Sequence, residues 1–199
     1  MHCNMNMPRH PHKFDPARMA YLESDERKAI LDPDRLIPRF GVKEGWTVLD
    51  IGCGPGLFTF TMANTVGPRG RVYGIDMEPL MIKELEEKRV GKHVTNVTAI
   101  LSTEDSIPLP DAVADFALMS TVLHELEGAG TIVEAARILK TTGILAVIDW
   151  KKKREKIGPP IQHRLSEREA AAMLSAAGFN PGQAMDLGPS LFGFAARKI

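Results

Sequence analysis

The stretch from Val48 to Leu57 limits the possible folds of this chain more than any other part of its sequence. It consists of a β-prone apolar run that ends in an acid, followed by three glycines at alternate positions: Val48, Leu49, Asp50, Ile51, Gly52, Gly54 and Gly56. Glycine can adopt positive φ in a tight turn and lets a ligand approach the backbone closely. Apolar residues then recur at helical spacing at Phe58, Met62 and Val66. The stretch therefore predicts a strand, a turn and a helix N-terminus, whose N–H groups favour a negatively charged or hydrogen-bond-accepting ligand.

A second acid follows at the distance expected for a nucleoside-binding unit. The residues from Arg71 to Asp76 predict a second strand, and Asp76 lies 76 − 54 = 22 residues after Gly54. In βαβ units that bind nucleosides, an acid about 20 residues after the glycines holds the ribose hydroxyls. A carboxylate suits this task because it accepts two hydrogen bonds side by side. Asp76 and its neighbour Met77 are therefore predicted cofactor contacts; the alternative is a βαβ crossover whose glycines serve packing alone.

The glycine spacing distinguishes between two classes of cofactor. A dinucleotide fingerprint would place its third glycine at position 57, where this chain has Leu57. The alternate glycines preceded by an acid instead resemble motif I of the class I S-adenosylmethionine (SAM) dependent methyltransferases, and the resemblance extends from about Trp46 to Ile199. It implies SAM as cofactor and S-adenosylhomocysteine as product. In that family the acid, here Asp50, works near the methionine amino group. The loop passes beneath the cofactor, which implicates Gly52, Cys53, Gly54 and Gly56.

Two further stretches resemble cofactor contacts of this family. The residues from Ser102 to Asp111 resemble the segment after the third strand, where the family often has aspartate at the position of Thr103 to meet the adenine amino group. This chain departs from that pattern, so either the Thr103 hydroxyl or Glu104 would have to serve. Ser120 follows the predicted fourth strand, at the edge of the sheet where ligands bind in open α/β folds. Ser120 is therefore a further predicted cofactor contact.

Two histidines are candidate catalytic bases. His124 lies where the family often has a histidine facing the transferable methyl group, and the alternative is that it caps a helix or supports a neighbouring residue. His163 lies in the stiff stretch from Gly158 to Arg164, where the family builds its acceptor pocket. Asp149, at the end of the predicted fifth strand, could orient either histidine. A base is needed only if the acceptor arrives protonated.

The order of predicted elements indicates a doubly wound α/β fold. Strands and helices alternate from Trp46 onward, and a helix predicted over 131–140 is followed by an almost wholly apolar run over 144–150, as in central parallel strands. Strands over 185–187 and 191–198 are joined by a short turn, which requires an antiparallel pair. We therefore predict a Rossmann-like, seven-stranded, mostly parallel sheet with an antiparallel last strand and helices on both faces.

The first 41 residues are predicted to lie outside the core of a single domain that comprises residues 1–199. They would form a tail and short helices over 1–41, with Ser24 and Asp32 as N-caps. In the methyltransferases that this chain resembles, such helices often lie over the cofactor pocket as a lid; the alternative is that they cover the edge of the sheet. Residues 42–199 would form the core.

Composition excludes several classes of partner. Lysine plus arginine number 25 and aspartate plus glutamate number 25, so nothing global attracts nucleic acid or an acidic membrane. The two cysteines, Cys3 and Cys53, suggest neither a disulfide framework nor a metal site. The N-terminus has no signal-peptide core, and no apolar run is long enough to span a bilayer. We therefore expect a cytoplasmic enzyme with a small-molecule methyl acceptor, no nucleic-acid partner and no metal, its oligomeric state left open.

Three other functions remain open from the sequence. An arsenic or thiol methyltransferase would need several cysteines to bind its soft substrate, and this chain has only Cys3 beyond the loop cysteine. A nucleotide-dependent oxidoreductase is disfavoured by Leu57 and by the antiparallel chain ending. A non-catalytic SAM-binding or regulatory protein would share every cofactor contact. Among these classes, the chain is most similar to the small-molecule methyltransferases that include the ubiquinone and menaquinone type enzymes.

Overall fold

The computed structural model describes residues 19–199, with side chains described from residue 21. Its centre is a sheet of eight strands: β1 (Thr47–Ile51), β2 (Arg71–Asp76), β3 (Val97–Leu101), β4 (Ala114–Ser120), β5 (Leu139–Trp150), β6 (Phe179–Asn180), β7 (Met185–Asp186) and β8 (Leu191–Lys198). Their order in the sheet is β3-β2-β1-β4-β5-β8-β6, and β7 pairs with β8 beside this path. The chain order reverses at β1, where β2 lies on one side and β4 on the other, so a ligand crevice is expected beyond the carboxyl ends of these strands.

The strand directions confirm the predicted fold class. The first five strands pair in parallel, and β8 runs antiparallel to β5 with Leu145 opposite Ala196. The predicted antiparallel pair near the chain end is also present, with Met185 opposite Gly193. The sequence did not predict β6, and its presence makes the sheet eight-stranded rather than seven-stranded. A strand of two residues, Phe179 and Asn180, is too short to show the period of two from which strands are predicted.

Helices cover both faces of the sheet. Within the described residues they are α1 (Met19–Leu22), α2 (Asp25–Ile30), α3 (Pro33–Leu36), α4 (Leu57–Val66), α5 (Pro79–Gly91), α6 (Gly130–Ile138) and α7 (Glu167–Ala176). One apolar core joins the sheet to α3, α4 and α5, through buried side chains such as Leu36, Met62 and Leu85. The other core joins the opposite face to α6 and α7, through side chains such as Ile132 and Leu174. No helix of residues 19–199 combines the length and the apolar character needed to cross a membrane.

The segment before β1 follows its predicted caps. The Ser24 side chain accepts a hydrogen bond from the Arg27 backbone N–H, and the Asp32 side chain accepts one from the Arg35 N–H. The helical segment that Asp32 caps has two parts, because α3 is followed by a 3₁₀ turn over Ile37–Phe40 that ends at Gly41 with φ of 70°. The predicted tail lies almost wholly in residues 1–18, outside the described residues.

The boundary between α6 and β5 differs from the prediction. The helix ends at Ile138 rather than at residue 140, and β5 begins at Leu139. Leu139 has extended backbone angles and pairs with Ala114 of β4. Both residues are fully buried, so pairing within the sheet outweighs the local helical pattern.

Candidate active site

Backbone hydrogen bonds join the glycine loop, residues 52–56, to the end of β2. The N–H groups of Gly52 and Cys53 both donate to the Ile75 carbonyl, at 2.8 and 3.0 Å. The Gly54 N–H donates to Asp76 Oδ2 at 2.9 Å. The two predicted cofactor motifs, separated by 22 residues in sequence, are thus in direct contact at the carboxyl edge of the sheet.

The three loop glycines have different surroundings, although all have positive φ, at 70°, 52° and 98°. A Cβ built on Gly52 would clash with a Val122 methyl carbon, and one built on Gly56 would lie 2.7 Å from a Leu85 methyl carbon. A Cβ built on Gly54 would meet only Leu22, at 3.6 Å. Packing therefore explains glycine at 52 and 56, whereas the space beside Gly54 is open enough for a ligand to approach the backbone.

Asp76 connects the loop to the segment before α5. Its Oδ1 accepts a hydrogen bond from the Glu78 N–H at 2.9 Å, while its Oδ2 holds the Gly54 N–H. Burial raises the pKa of Asp76, and the backbone hydrogen bonds oppose that rise. The N-cap of α5 is Glu78, so Asp76 lies one turn before the helix and holds the loop. The adjacent Met77 side chain is 47% exposed.

The acid before the glycines lies beneath the loop in a buried setting. The Asp50 side chain is only 2% exposed, and its Oδ2 accepts a hydrogen bond from the Thr59 hydroxyl of α4 at 2.6 Å. Burial, with a smaller contribution from Asp76, raises the pKa of Asp50 to about 7, although the Thr59 hydrogen bond lowers it. A cationic ligand group beside Asp50 would stabilise the ionised form of its carboxylate. The sequence did not predict the role of Thr59, because the pair forms only when α4 packs on β1.

The loop cysteine is not a reactive thiol. Cys53 is 7% exposed, and burial together with the charges of Asp50 and Asp76 raises the pKa of its thiol well above the ordinary value. A buried, protonated thiol is a poor nucleophile and a poor metal ligand. Within residues 19–199, no group of three or more His, Cys, Asp or Glu side chains is arranged to hold a metal ion.

Ser120 presents an unusual polar atom at the end of β4. Its side chain is 9% exposed, and among the described residues its Oγ is the single buried side-chain oxygen or nitrogen without a hydrogen-bond partner. The following residue, Thr121, has a positive φ of 58°. Leaving a buried hydroxyl unpaired costs about 1–3 kcal/mol, so such atoms are rare unless a ligand satisfies them. The Ser120 hydroxyl and the open side of Gly54 both fit a polar ligand at this edge of the sheet.

His124 and Asp149 form a buried pair at the ends of β4 and β5. His124 lies in a 3₁₀ turn over Leu123–Glu125, and its Nδ1 is 2.7 Å from Asp149 Oδ1. The backbone N–H of His124 also donates to Asp149 Oδ2, at 3.1 Å. Only 4% of the His124 side chain and 1% of the Asp149 side chain are exposed. Asp149 therefore orients His124, as the sequence allowed.

The environment of His124 favours its protonated form. Burial alone would lower the pKa of His124, but the charge and hydrogen bond of Asp149, with a further contribution from Glu125, outweigh burial and raise it. The Nε2 atom lies 3.7 Å from Glu125 Oε1. With Nδ1–H donated to Asp149, the neutral ring presents its lone pair at Nε2, which is the arrangement of a general base.

Three predicted site residues remain to be placed: His163, Thr103 and Glu104. His163 is half-buried in a 3₁₀ turn over Ile161–His163. The Thr103 N–H donates to the Ser106 carbonyl, and Glu104 Oε1 accepts a hydrogen bond from the Glu127 N–H. The roles of His163 as a base and of Thr103 and Glu104 as adenine contacts stay predictions.

Arg164 is a buried charge that the sequence did not identify. It is 2% exposed, its guanidinium lies 5.4 Å from the Trp150 ring centroid, and it pairs with Glu155 at 2.8 Å. It also donates to three backbone carbonyls of the segment after β5, those of Lys151, Ile157 and Pro159. Arg164 therefore shapes the loop over 151–164, the stretch where the acceptor pocket is predicted. No spacing pattern in the sequence marks a residue that is bound mainly by backbone carbonyls.

Three lysines of the same loop form ion pairs. Lys151 pairs with Asp186, Lys152 with Glu169 and Lys153 with Glu155. These carboxylates offset the positive charge of the basic run, so the run offers less attraction to an anion than its sequence suggests.

Comparison with known proteins gives consistent matches. Residues 42–183 match the family model of a methyltransferase domain. A solved SAM-dependent methyltransferase from Aquifex aeolicus is 37% identical, with a TM-score of 0.90, and the match covers 94% of this chain and all of that one.

Curated relatives match a smaller part of the chain. Demethylmenaquinone methyltransferases from Geobacillus stearothermophilus and Listeria monocytogenes are 31% and 33% identical over 112 and 109 residues, which is 56% and 54% of this chain. These matches cover 48% and 46% of those relatives, so the chain spans about half the length of the curated relatives it matches. The matched segments, together with the glycine loop, Asp76 and the strand order, place this chain in the family of SAM-dependent methyltransferases.

Proposed function

We propose that this protein transfers the methyl group of SAM to a small-molecule acceptor that loses a proton in the reaction. SAM supplies an activated methyl group on a sulfonium, so the protein has mainly to bind the donor and the acceptor in line. Orientation of this kind can contribute roughly 7–11 kcal/mol to lowering the barrier. The observation that carries the proposal is the Asp76–Gly54 hydrogen bond beside an open glycine, together with the His124–Asp149 pair after β4, the strand that neighbours β1.

The cofactor contacts follow from the chemistry of the residues at this edge. Asp76 keeps unused lone pairs on both oxygens and would accept the two ribose hydroxyls. Asp50, buried and with a raised pKa, would face the cationic amino group of the methionine part. Ser120 Oγ, which has no hydrogen-bond partner among residues 19–199, would gain one. Thr103 or Glu104 would serve the adenine amino group.

His124 would act as the general base for the acceptor. Asp149 holds the ring with Nε2 free of that hydrogen bond and stabilises the imidazolium that forms when Nε2 takes a proton. Glu125, at 3.7 Å from Nε2, would stabilise the same positive charge. Since 4% of the His124 side chain is exposed, the acceptor would reach Nε2 only as neighbouring side chains give way.

The acceptor class follows from the dyad and from the relatives. A thioether or an already ionised acceptor needs no base, whereas a phenol, an enol or an activated ring carbon must lose a proton. The two curated relatives named above are demethylmenaquinone methyltransferases. We therefore propose an aromatic or enolic small molecule, bound near Trp150 and the loop that Arg164 shapes.

The test is a methyl-transfer assay of the full chain with SAM and a panel of phenolic, quinol and thiol acceptors, beside calorimetric titration with SAM. We expect turnover with a proton-bearing acceptor, and His124→Ala should reduce it by about 10²–10⁴-fold while SAM affinity hardly changes. His93→Ala, at an exposed histidine with a positive φ of 55°, is the matched control. SAM binding without turnover on any acceptor would instead indicate a non-catalytic SAM-binding protein.

A further inference from the structure

The burial of His124 restricts how its ring can release a proton. A base that takes a proton from an acceptor must release it before the next turnover. Only 4% of the His124 side chain is exposed, so the ring has little direct access to water. Although burial opposes protonation, the charges of Asp149 and Glu125 favour the protonated ring, so the proton is held firmly. The site therefore needs a group that passes this proton to solvent.

The Nδ1 side of the ring is closed. Nδ1 lies 2.7 Å from Asp149 Oδ1, and the same oxygen accepts a hydrogen bond from the Trp150 N–H at 2.7 Å. The other oxygen, Oδ2, accepts from the backbone N–H of His124. The Asp149 side chain is 1% exposed, so a proton on its carboxylate would be as enclosed as one on the ring. Asp149 thus orients the ring and stays ionised, and the proton must leave through Nε2.

Glu125 offers a carboxylate on the Nε2 side. It follows His124 in the 3₁₀ turn over Leu123–Glu125, and its Oε1 lies 3.7 Å from Nε2. Its side chain is 26% exposed, against 4% for the ring beside it. A separation of 3.7 Å is longer than a hydrogen bond, and a side-chain rotation or one bridging water closes it. Glu125 therefore reaches the ring on one side and solvent on the other.

Charged groups from other elements act on this pair. Burial and the positive charge of Arg164 lower the pKa of His124, whereas Asp149 and Glu125 raise it. Burial lowers the pKa of Arg27 of α2 to about 10, and the charge of Glu125 opposes that shift, so the two side chains lie within electrostatic reach of each other. A nearby positive charge favours the release of a proton from a carboxyl group. A proton that reaches Glu125 is therefore passed on to water.

We propose that Glu125 is the proton exit of the site, which takes the proton from His124 Nε2 after methyl transfer and gives it to solvent. The proposal rests on the proposed function, in which Nε2 takes the proton of the acceptor. In each turnover the N–H bond at Nε2 breaks, and its electron pair returns to the ring nitrogen. The proton passes to a Glu125 oxygen and then to water or a buffer base. The alternative is that Glu125 acts only as a fixed negative charge beside the imidazolium.

Proton exchange of the His124 ring tests the proposal without any acceptor. Nuclear magnetic resonance of histidine-labelled protein gives the rate at which the Nε2 proton exchanges with water, and the signal is assigned by its loss in His124→Ala. If Glu125 is the exit, Glu125→Gln should slow this exchange by roughly 10²-fold, the lower end of the effect of losing a proton-transfer group. If Glu125 is only a fixed charge, its removal lowers the pKa of His124 and the proton should leave faster. The two roles therefore predict changes of opposite sign.

A small buffer base and two further variants complete the comparison. Imidazole should restore the exchange in Glu125→Gln in proportion to its concentration, because a neutral base can carry a proton but cannot replace a negative charge. Glu127→Gln removes the same charge from an exposed glutamate two residues further along and should leave the rate unchanged. Glu125→Asp keeps a carboxylate and should retain part of the exchange. Exchange in Glu125→Gln that is as fast as in the wild type, or that imidazole does not restore, would overturn the proposal.

Turnover on the phenolic and quinol acceptors distinguishes this proposal from the proposed function. We expect Glu125→Gln to complete its first turnover at nearly the wild-type rate and to slow in later turnovers, because the first proton remains on His124. Slow exchange that imidazole restores, in a protein that methylates none of these acceptors, would contradict the proposed function and support the exit. Turnover that depends on His124, in a protein whose exchange does not depend on Glu125, would support the base and overturn the exit. A raised KM with unchanged kcat in Glu125→Gln would likewise overturn it, since Glu125 would then bind the acceptor.

Discussion

On one side of the site, backbone N–H groups of the glycine loop donate to β2 and to Asp76. On the other side, carboxylates from β5 and its following loop hold His124 and Arg164. We call these the loop side (residues 52–56 and Asp76) and the dyad side (His124, Asp149 and Arg164). The loop side depends on backbone conformation, and the dyad side depends on ionisation. Substitutions that change backbone shape should therefore impair the loop side, and changes of pH or charge should impair the dyad side.

The largest effect is expected from Gly54→Val on the loop side. A branched side chain would occupy the open space beside the loop and disfavour its φ of 52°, so SAM binding should be lost in a folded protein. Calorimetry and circular dichroism on the same sample give the two readouts. Gly41→Val is the control, because Gly41 has a φ of 70° and nothing within 4 Å of a built Cβ. It should carry similar strain and keep SAM affinity; equal affinity in both variants would remove the loop from the cofactor site.

Asp76→Ala should weaken SAM by roughly two to four decades. Hydrogen bonds to a charged group contribute roughly 1.5–3 kcal/mol each, so the loss of two ribose contacts costs on the order of 3–6 kcal/mol, at about 1.4 kcal/mol per tenfold change. The SAM affinity of Asp76→Asn should lie between those of the wild type and Asp76→Ala, since asparagine keeps one acceptor oxygen. The measurements are the SAM affinity, by titration, and the melting temperature of each variant.

The control for Asp76 is another aspartate with the same local hydrogen bond. Asp186 Oδ1 accepts from the Gly188 N–H at 2.9 Å, as Asp76 Oδ1 accepts from Glu78. Asp186→Ala should reduce the melting temperature with SAM affinity intact. If Asp76→Ala behaves in the same way, Asp76 stabilises the fold and does not hold the ribose.

On the dyad side, Asp149→Asn should change the pH dependence of turnover. In the wild type, Asp149 and Glu125 outweigh burial and hold the pKa of His124 above its ordinary value of 6.5, so the rate should rise as pH passes through that raised value. Without the Asp149 charge, burial dominates and the pKa of His124 should fall below 6.5, which moves the rising limb to lower pH. The measurement is kcat against pH.

Glu125→Gln provides the graded comparison for the dyad. The Glu125 carboxylate is 3.7 Å from His124 Nε2, farther than the 2.7 Å between Asp149 and Nδ1. The rising limb of kcat against pH should therefore move in the same direction by a smaller amount. A profile unchanged in both variants would show that His124 does not take the proton.

The smallest effect concerns stability and the buried acid beneath the loop. The pKa of Asp50 is about 7 in the folded chain against an ordinary value of 3.8, so its favourable contribution is present below pH 3.8 and is lost as pH rises to about 7. Asp50→Asn should therefore melt at a higher temperature than the wild type at pH 8, and this difference should vanish near pH 4. SAM affinity should fall in the same variant.

Glu169→Gln should show the opposite pH dependence. Hydrogen bonds from the Ser166 side chain and backbone, with Lys152, lower the pKa of Glu169 to about 2, so its contribution is present above the ordinary value of 4.5 and is lost as pH falls towards 2. This variant should melt below the wild type at neutral pH and approach it at low pH. If the melting temperatures of the two variants, each relative to the wild type, changed with pH in the same way, the opposite pH dependences predicted for Asp50 and Glu169 would be contradicted.

Several features of the fold were predictable because they depend on short stretches of chain. Ser24, Asp32 and the Ser166–Glu169 capping box bond to N–H groups three residues away, within reach of a local pattern. The glycine loop and Asp76 were predictable for a related reason, since a strand, a helix and a second strand deliver two points of the chain to the same edge of the sheet.

Other features depended on packing between distant segments. The beginning of β5 at Leu139 is decided by its pairing with Ala114, against a helical pattern that continues past it. The sequence left Asp149 equally able to orient His124 or His163, and only the approach of the β4 and β5 ends placed it on His124.

The sequence by itself determined the class of fold, the strand directions and the cofactor motif, because hydrophobic period, glycine spacing and turn length are written in adjacent residues. The tertiary structure alone decided the electrostatics of the site. The raised pKa of Asp50 arises from burial, as does the lack of a hydrogen-bond partner for the Ser120 hydroxyl among the described residues. Burial depends on the whole fold and not on the neighbouring residues in the chain. Arg27 and Thr121 meet across 94 residues of sequence, and only the folded sheet edge brings them within 3.0 Å.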